Sequence, residues 1–249
     1  MKSSPLLENP RRCLLHKRNA LYELLGSRYR KSFWGGGETL DNLKIRNIYC
    51  VGRNYYSFAK EMGNAISESP IIFLKPTHSL EPMNGSVIAL SGKYGEVNGE
   101  AEIVLHMGKD YVPGIQVEEL VDKMTIGIDF TYRNVLNEIK KKGQPWLPAK
   151  GFRSSCSIGE FREISGQSDL TKDFRLIKNG ETLQIGNIKN MIFSLQTLID
   201  YIALNFGLGT GDLIYTGTPE GIGTLQDHDH LEIQWGEEIL GSCQIILKS

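Results

Sequence analysis

The chain has 249 residues, enough for one large domain or two small ones around a substantial core. Its formal net charge of −1 lacks the basic excess that nucleic acid or an anionic membrane surface would select. Cys13, Cys50, Cys156 and Cys243 are scattered with no C-x-x-C pair, which argues against a zinc ribbon or a disulfide scaffold and fits a reducing, cytoplasmic setting. No apolar run reaches the length of a membrane-spanning helix, and 27 glycines favour a strand-rich, turn-rich protein over a helical bundle.

Residues 1–44 differ from the rest. Arg11, Arg12, Lys17, Arg18, Arg28, Arg30 and Lys31 face only Glu8 and Glu23 before the break at Gly35-Gly36-Gly37. Leu14, Leu15, Leu21, Leu24 and Leu25 can form one side of a short helix. A packing or interface arm is the reading, with a mitochondrial targeting leader as the alternative.

From residue 45 the expected elements follow closely. A strand over 45–52 ends in glycine, and a helix over 54–62 stops at Gly63. Strands follow over 70–76 and 87–90. Residues 97–105 and 124–131 read as two acidic strands, with a short helix expected over 117–123 between them, and residues 132–142 after them read as helix or partly extended. The Asn179-Gly180 pair between strand-like runs predicts a hairpin over 175–184. Residues 191–206 form the clearest amphipathic helix, with Leu195, Leu198, Ile199, Ile202 and Phe206 on one stripe. A strand over 212–215 runs into Thr216-Gly217-Thr218-Pro219-Glu220-Gly221-Ile222-Gly223, and strands over 231–235 and 243–247 close the chain.

The acidic strands carry the chemistry. Side chains alternate along a strand, so Glu100 and Glu102 share a face. Asp129 falls on the face of Thr125, Gly127 and Thr131, opposite Ile126, Ile128 and Phe130, with room beside the small residues. Three carboxylates so placed form a cradle for a hard divalent cation. The competing reading puts the glutamates on a solvated face and leaves Asp129 an isolated buried acid. The glycine-rich loop at 216–223 offers backbone N–H groups and hydroxyls to an anion, or is an ordinary tight turn. Lys75 and Lys150, beside apolar neighbours, can balance the carboxylates or a developing oxyanion, or run to the surface. Arg133, four residues after Asp129, can hold an acidic substrate. His228-Asp229-His230 reads as an exposed turn, and His106 lies too far along its strand to join the carboxylates.

Taken in order, Gly52-x-Asn54-Tyr55, Glu61-Met62-Gly63, Phe73-x-Lys75-Pro76, Glu100-x-Glu102, Asp129-x-Thr131-x-Arg133, Lys150-x-Phe152 and Thr216-Gly217-Thr218-Pro219-x-Gly221-Ile222-Gly223 resemble the fumarylacetoacetate hydrolase family, most of all its short bacterial branch. The resemblance covers roughly residues 45–248 and implies an α+β, mostly β, mixed β-sandwich roll with a few short helices, built as a homodimer. It implies Mg2+ or Mn2+, with Ca2+ as a further option, on Glu100, Glu102 and Asp129. It implies catalysis by Glu61 and Lys150, and substrate contacts from Lys75, Arg133, Thr216, Gly217 and Thr218. The implied substrate is a small 2-oxo or 2,4-dioxo acid that passes through a metal-stabilised enolate in isomerisation, decarboxylation or C–C hydrolysis. Four positions depart from the family pattern. Phe58 stands where a lid histidine is expected, Arg153 where an aspartate is common, Leu136 where a glutamine is common and Ser157 where a proline is expected. Phenylalanine accepts no proton, so hydrolysis loses more than tautomerisation does. A degenerate member that binds metal or metabolite without catalysis is the alternative.

Overall fold

The computed structural model describes residues 44–61, 66–164 and 170–249. The basic stretch before Lys44, with its leucine stripe and the targeting alternative, lies outside the described residues, as do Met62 and Gly63. Strands β1 (Ile48–Gly52) and β2 (Ile71–Lys75) pair antiparallel on either side of helix α1 (Tyr56–Glu61). Strands β3 (Leu80–Pro82) and β4 (Asn84–Ser91) precede two long strands, β5 (Val97–Met107) and β6 (Val121–Tyr132), separated by α2 (Val117–Leu120). Helices α3 (Arg133–Lys141) and α4 (Leu147–Lys150) lead to β7 (Cys156–Ile158) and β8 (Arg162–Glu163). The hairpin of β9 (Phe174–Lys178) and β10 (Glu181–Gly186) is followed by helix α5 (Leu195–Phe206). The chain closes with β11 (Leu213–Tyr215), β12 (Gly223–Thr224), β13 (His230–Trp235) and β14 (Glu238–Lys248).

Among the described residues these strands form two sheets. One runs β2-β1-β11-β5-β6-β7-β3, with β12 also on β5 and β8 also on β6, and the other runs β10-β9-β13-β14-β4. The result is the α+β, mostly β, mixed sandwich roll expected from the sequence. Strand β5 is buried from end to end. Its period of two separates two environments. Ala101, Ile103 and Leu105, with Ile126, Ile128 and Phe130 of β6, join Leu176, Leu231, Ile233 and Ile245 of the second sheet in the principal core. The alternate positions carry Glu100, Glu102 and Val104, and Val104 packs with Ile48, Cys50, Cys156, Ile158, Leu213 and Tyr215 in a separate cluster. Each fully buried Ile or Phe contributes roughly 1.5–3 kcal/mol. A one-residue slip of β5 would exchange the apolar set for the carboxylates, so that burial fixes the register.

Two helices end or begin three or more residues from the sequence expectation, and one stripe residue differs in burial. The helix after residue 116 stops at Leu120 because the buried, β-branched Val121 begins β6. Helix α5 starts at Leu195, not at residue 191: Ser194 caps it by accepting from the Thr197 N–H at 3.2 Å, while Met191 bridges to Tyr55. Leu195, Leu198, Ile199 and Ile202 are buried as the stripe requires. Phe206 departs from it, 55% exposed at the last helical residue with its ring edge-on to Tyr201. The hairpin turns where expected, Asn179 and Gly180 both taking positive φ (54° and 85°), as a two-residue I′ turn needs.

Candidate metal and substrate site

Glu100 and Asp129 stand directly opposite in the β5–β6 ladder, and Glu102 lies one pleat further along, opposite Gly127. All three are buried, and one carboxylate oxygen from each lies within 4.8 Å of the others. Ion–oxygen distances of about 2.0–2.6 Å span such a spread, so these oxygens suit a hard divalent cation. The glycine opposite Glu102 is not a place of open space, as the sequence had suggested. A Cβ on Gly127 would come within 2.6 Å of the Ser157 carbonyl and 2.8 Å of the Tyr215 ring. Gly127 therefore serves close packing, and the open space lies beyond Asp129.

Three cations compensate these carboxylates unevenly. Lys150, at the end of α4, places Nζ 2.7 Å from Glu100 Oε2 and 2.7 Å from Asp129 Oδ2. Burial disfavours the Lys150 ammonium, yet the charges of Asp129 and Glu100 outweigh it and hold its pKa above the ordinary lysine value. Arg133, the first residue of α3, donates to Glu100 Oε1 at 2.8 Å and to Asn98 Oδ1 at 2.6 Å. Lys75 lies 2.8 Å from Asp129 Oδ1.

Lys75 is buried against the far side of Asp129. Its ammonium donates to the backbone carbonyls of Ser155 at 2.8 Å and of Phe130 and Lys150, and it does not line the cavity in front of the carboxylates. Its acceptors are backbone carbonyls at the end of β6 and around α4. It orients a carboxylate.

Glu102 differs from its neighbours. Among the described residues no cation reaches it within ion-pair distance, and its Oε2 accepts one bond, from the Gly217 N–H at 2.7 Å. Burial raises its pKa well above the usual carboxylate value, and the charge of Asp129 adds to the rise against the opposing Gly217 bond and Lys150. A buried carboxyl with like charges beside it and no cation of its own is what a divalent ion would relieve. The donor set fits a metal ion.

The glycine-rich loop turns the Gly217 N–H onto the Glu102 carboxyl. The Thr216 and Thr218 hydroxyls both donate at 2.9 Å to β5 carbonyls, of Ile103 and Ala101, so the loop is zipped to the strand. Of the three loop residues expected at the substrate, Thr218 alone lines the cavity. Two amides clamp the loop from behind. Asn54 Nδ2 donates to the Thr216 carbonyl at 2.9 Å, and Gln184 Nε2 donates to Thr218 Oγ1 at 2.9 Å while its Oε1 accepts from the Ala101 N–H. Gln184 comes from the second sheet, a contact no local pattern announces.

The cavity is walled by Val51, Phe73, Leu136 and Trp146 on its apolar side, and Arg53 and Lys140 join Arg133 and Lys150 as its cations. Glu61 is the final residue of α1. That helix is tied to the glycine-rich loop by a hydrogen bond from Ser57 Oγ to the Glu220 carboxylate. His106 pairs with Asp122 at 2.6 Å, away from the carboxylates, and His228 is exposed in the turn before β13. No helix among the described residues is long and apolar enough to cross a membrane.

Known proteins share this architecture. The family model for the fumarylacetoacetate hydrolase C-terminal domain matches residues 47–245. The human mitochondrial oxaloacetate tautomerase is 36% identical over 212 residues, covering 84% of this chain and 92% of that one. The oxaloacetate tautomerase of Escherichia coli is 34% identical over 210 residues, covering 82% and 94%. The crystal structure of fumarylpyruvate hydrolase from Pseudomonas aeruginosa, in complex with Mn2+ and pyruvate, superposes with a TM-score of 0.78 at 30% identity, covering 86% of this chain and 94% of that one.

Proposed function

The chain belongs to the fumarylacetoacetate hydrolase family, and from that premise we propose that it is a divalent-metal-dependent enzyme interconverting the enol and keto forms of a small 2-oxo acid, with oxaloacetate the first substrate to test. The observation that carries this reading is Glu102, buried beside two other carboxylates without a cation of its own. Glu100, Glu102 and Asp129 would hold Mg2+ or Mn2+, which when bound supplies Lewis acidity toward the 2-oxo group. Lys150 stays protonated and faces the oxygen on which negative charge grows as a C3 proton leaves. Arg133 fixes Glu100 and presents its remaining N–H groups to the substrate end. Glu61, at the end of α1, carries the proton between carbon and oxygen. In the enol-to-keto direction the enol O–H bond breaks and a C3–H bond forms, so no water is consumed.

Tautomerisation is favoured over hydrolysis because phenylalanine and leucine stand at 58 and 136, and Leu136 forms part of the cavity wall. An apolar wall excludes the water that hydrolysis must activate. The test is the decay of enol-oxaloacetate ultraviolet absorbance with chelator-treated protein, before and after adding Mg2+ or Mn2+. Acceleration that requires the ion, and that Lys150→Met loses, supports the reading. Equal decay with and without metal and protein overturns it.

A further inference from the structure

The cavity holds more positive charge than its own carboxylates need. Lys150 and Arg133 are committed to Glu100 and Asp129 at 2.7–2.8 Å. Arg53 and Lys140 line the same cavity, yet among the described residues neither has a carboxylate within ion-pair distance. Lys140 instead lies 4.9 Å from the centroid of the Trp146 ring. The same indole packs against the turn that carries Arg53, since a Cβ on Gly52 would meet Trp146 Cζ3 at 3.3 Å. One aromatic plate thus lies under Lys140 and beside the turn that carries Arg53. Arg53 is also held at φ 60°, in the left-handed region, at the end of β1. A non-glycine residue kept there is strained, and such strain clusters at active sites and ligand clamps.

Resting on the proposed 2-oxo acid chemistry, we infer that Arg53 and Lys140 form a two-cation clamp for a second carboxylate of the substrate, so that the site selects 2-oxo dicarboxylates over 2-oxo acids with neutral tails. The ligand's C1 carboxylate and 2-oxo oxygen belong at the end lined by Glu100, Glu102, Asp129 and Lys150. A chain of one or two carbons would put the second carboxylate between Arg53 and Lys140, with Phe73 and Leu136 against its methylenes. The electrostatics agree. Burial and the neighbouring charges of Arg53, Arg133 and Lys150 draw the Lys140 pKa down to about 8, against Glu100. An anion at that point would relieve the repulsion among these cations.

The experiment is calorimetric titration of the full chain loaded with Mn2+, using oxalate, oxaloacetate and 2-oxopentanoate, in which an ethyl group replaces the distal carboxylate. Arg53→Asn keeps a residue that tolerates positive φ, and Lys140→Met keeps the methylenes over Trp146. The wild-type protein should prefer oxaloacetate to 2-oxopentanoate. Each variant should cut that preference roughly tenfold or more, chiefly by weakening oxaloacetate, as expected for the loss of a charge-assisted hydrogen bond. Oxalate, which has no distal group, reports whether the metal end stays intact in each variant. Retained oxalate binding with an unchanged preference for oxaloacetate overturns the clamp alone. No Mn2+-dependent oxalate binding in the wild-type protein overturns the metal-dependent reading, and the clamp with it.

Discussion

Glu100 and Asp129 face each other across the β5–β6 ladder, and the single ammonium of Lys150 spans them at 2.7 Å to each. Two carboxylates forced together by strand register would repel, and register alone cannot be relaxed without exposing the apolar face of β5. The site therefore depends on cations brought from elsewhere: α4 supplies Lys150, α3 supplies Arg133 and β2 supplies Lys75. Glu102 is the one carboxylate this arrangement leaves without a cation among the described residues.

Lys75→Met should cost stability rather than substrate affinity. The ammonium balances Asp129 and satisfies the carbonyls of Phe130, Lys150 and Ser155, and its side chain is wholly buried. Removing one partner of a buried pair costs about 3 kcal/mol or more, which for a domain of this size lowers Tm by roughly 6–12 °C. Calorimetry checks this. A Tm near wild type with a raised KM would instead return Lys75 to the substrate.

Glu102→Gln separates the metal from the fold. The amide oxygen can still accept from Gly217, so the loop keeps its anchor. The folded pKa of Glu102 lies above the ordinary value of 4.5. The unfolded chain therefore ionises first as pH rises, and apoprotein stability falls from about pH 4.5 upward until the folded group has titrated too. The variant should lose this fall and match or exceed the wild-type apoprotein at neutral pH. It should also lose the gain on adding Mn2+, about 2.7 kcal/mol in the wild type at a hundredfold excess over Kd. Paired thermal melts with and without metal measure both. A variant that kept the metal-dependent rise would remove Glu102 from the ligand set.

Much of this site is legible in the sequence because a strand has a simple period. Once residues 97–105 and 124–131 are read as strands, Glu100, Glu102 and Asp129 fall on faces opposite the Ile and Phe set, and their meeting needs only that the strands pair. The acceptors of Lys75 are main-chain carbonyls 55, 75 and 80 residues away, which no side-chain pattern encodes. Gln184 reaches the glycine-rich loop from the other sheet. Arg53 gained its place from a backbone twist and an indole beyond residue 140. Phe206 satisfied the helical stripe and still faces solvent, because α5 ends there and Gly207 turns the chain away at φ 85°.

Gly217→Ala should damage both the loop and the metal end. Gly217 sits at φ 100°, and an added Cβ would lie 2.7 Å from Asn54 Cβ. Asn54 cannot yield freely, since it bonds the Thr216 carbonyl and accepts from the Phe193 N–H at 2.8 Å. Overpacking on a strained backbone costs about 1–3 kcal/mol. The Glu102 carboxyl would lose the Gly217 N–H, its one hydrogen-bond donor among the described residues, and Mn2+ affinity should fall with it. Denaturant unfolding and a metal titration on the same preparation test the coupling. Lost stability with unchanged metal affinity would show that the loop does not position Glu102.

Lys140 gives the clamp a pH signature. Its pKa near 8 reflects burial and then the charges of Arg53, Arg133 and Lys150, with Glu100 opposing them. Below pH 8 the ammonium is charged and available to a distal carboxylate; above it the free protein holds a neutral amine. Oxaloacetate affinity should therefore fall as pH rises from about 7 to 9, by up to roughly tenfold, while 2-oxopentanoate affinity changes much less. Bound dianion raises the Lys140 pKa, so binding takes up a proton in this range, and titrations in buffers of different ionisation enthalpy will display it. Lys140→Met should remove both the slope and the proton uptake. If the slope persists in that variant, the titrating group is elsewhere in the cavity and Lys140 does not meet the substrate's tail.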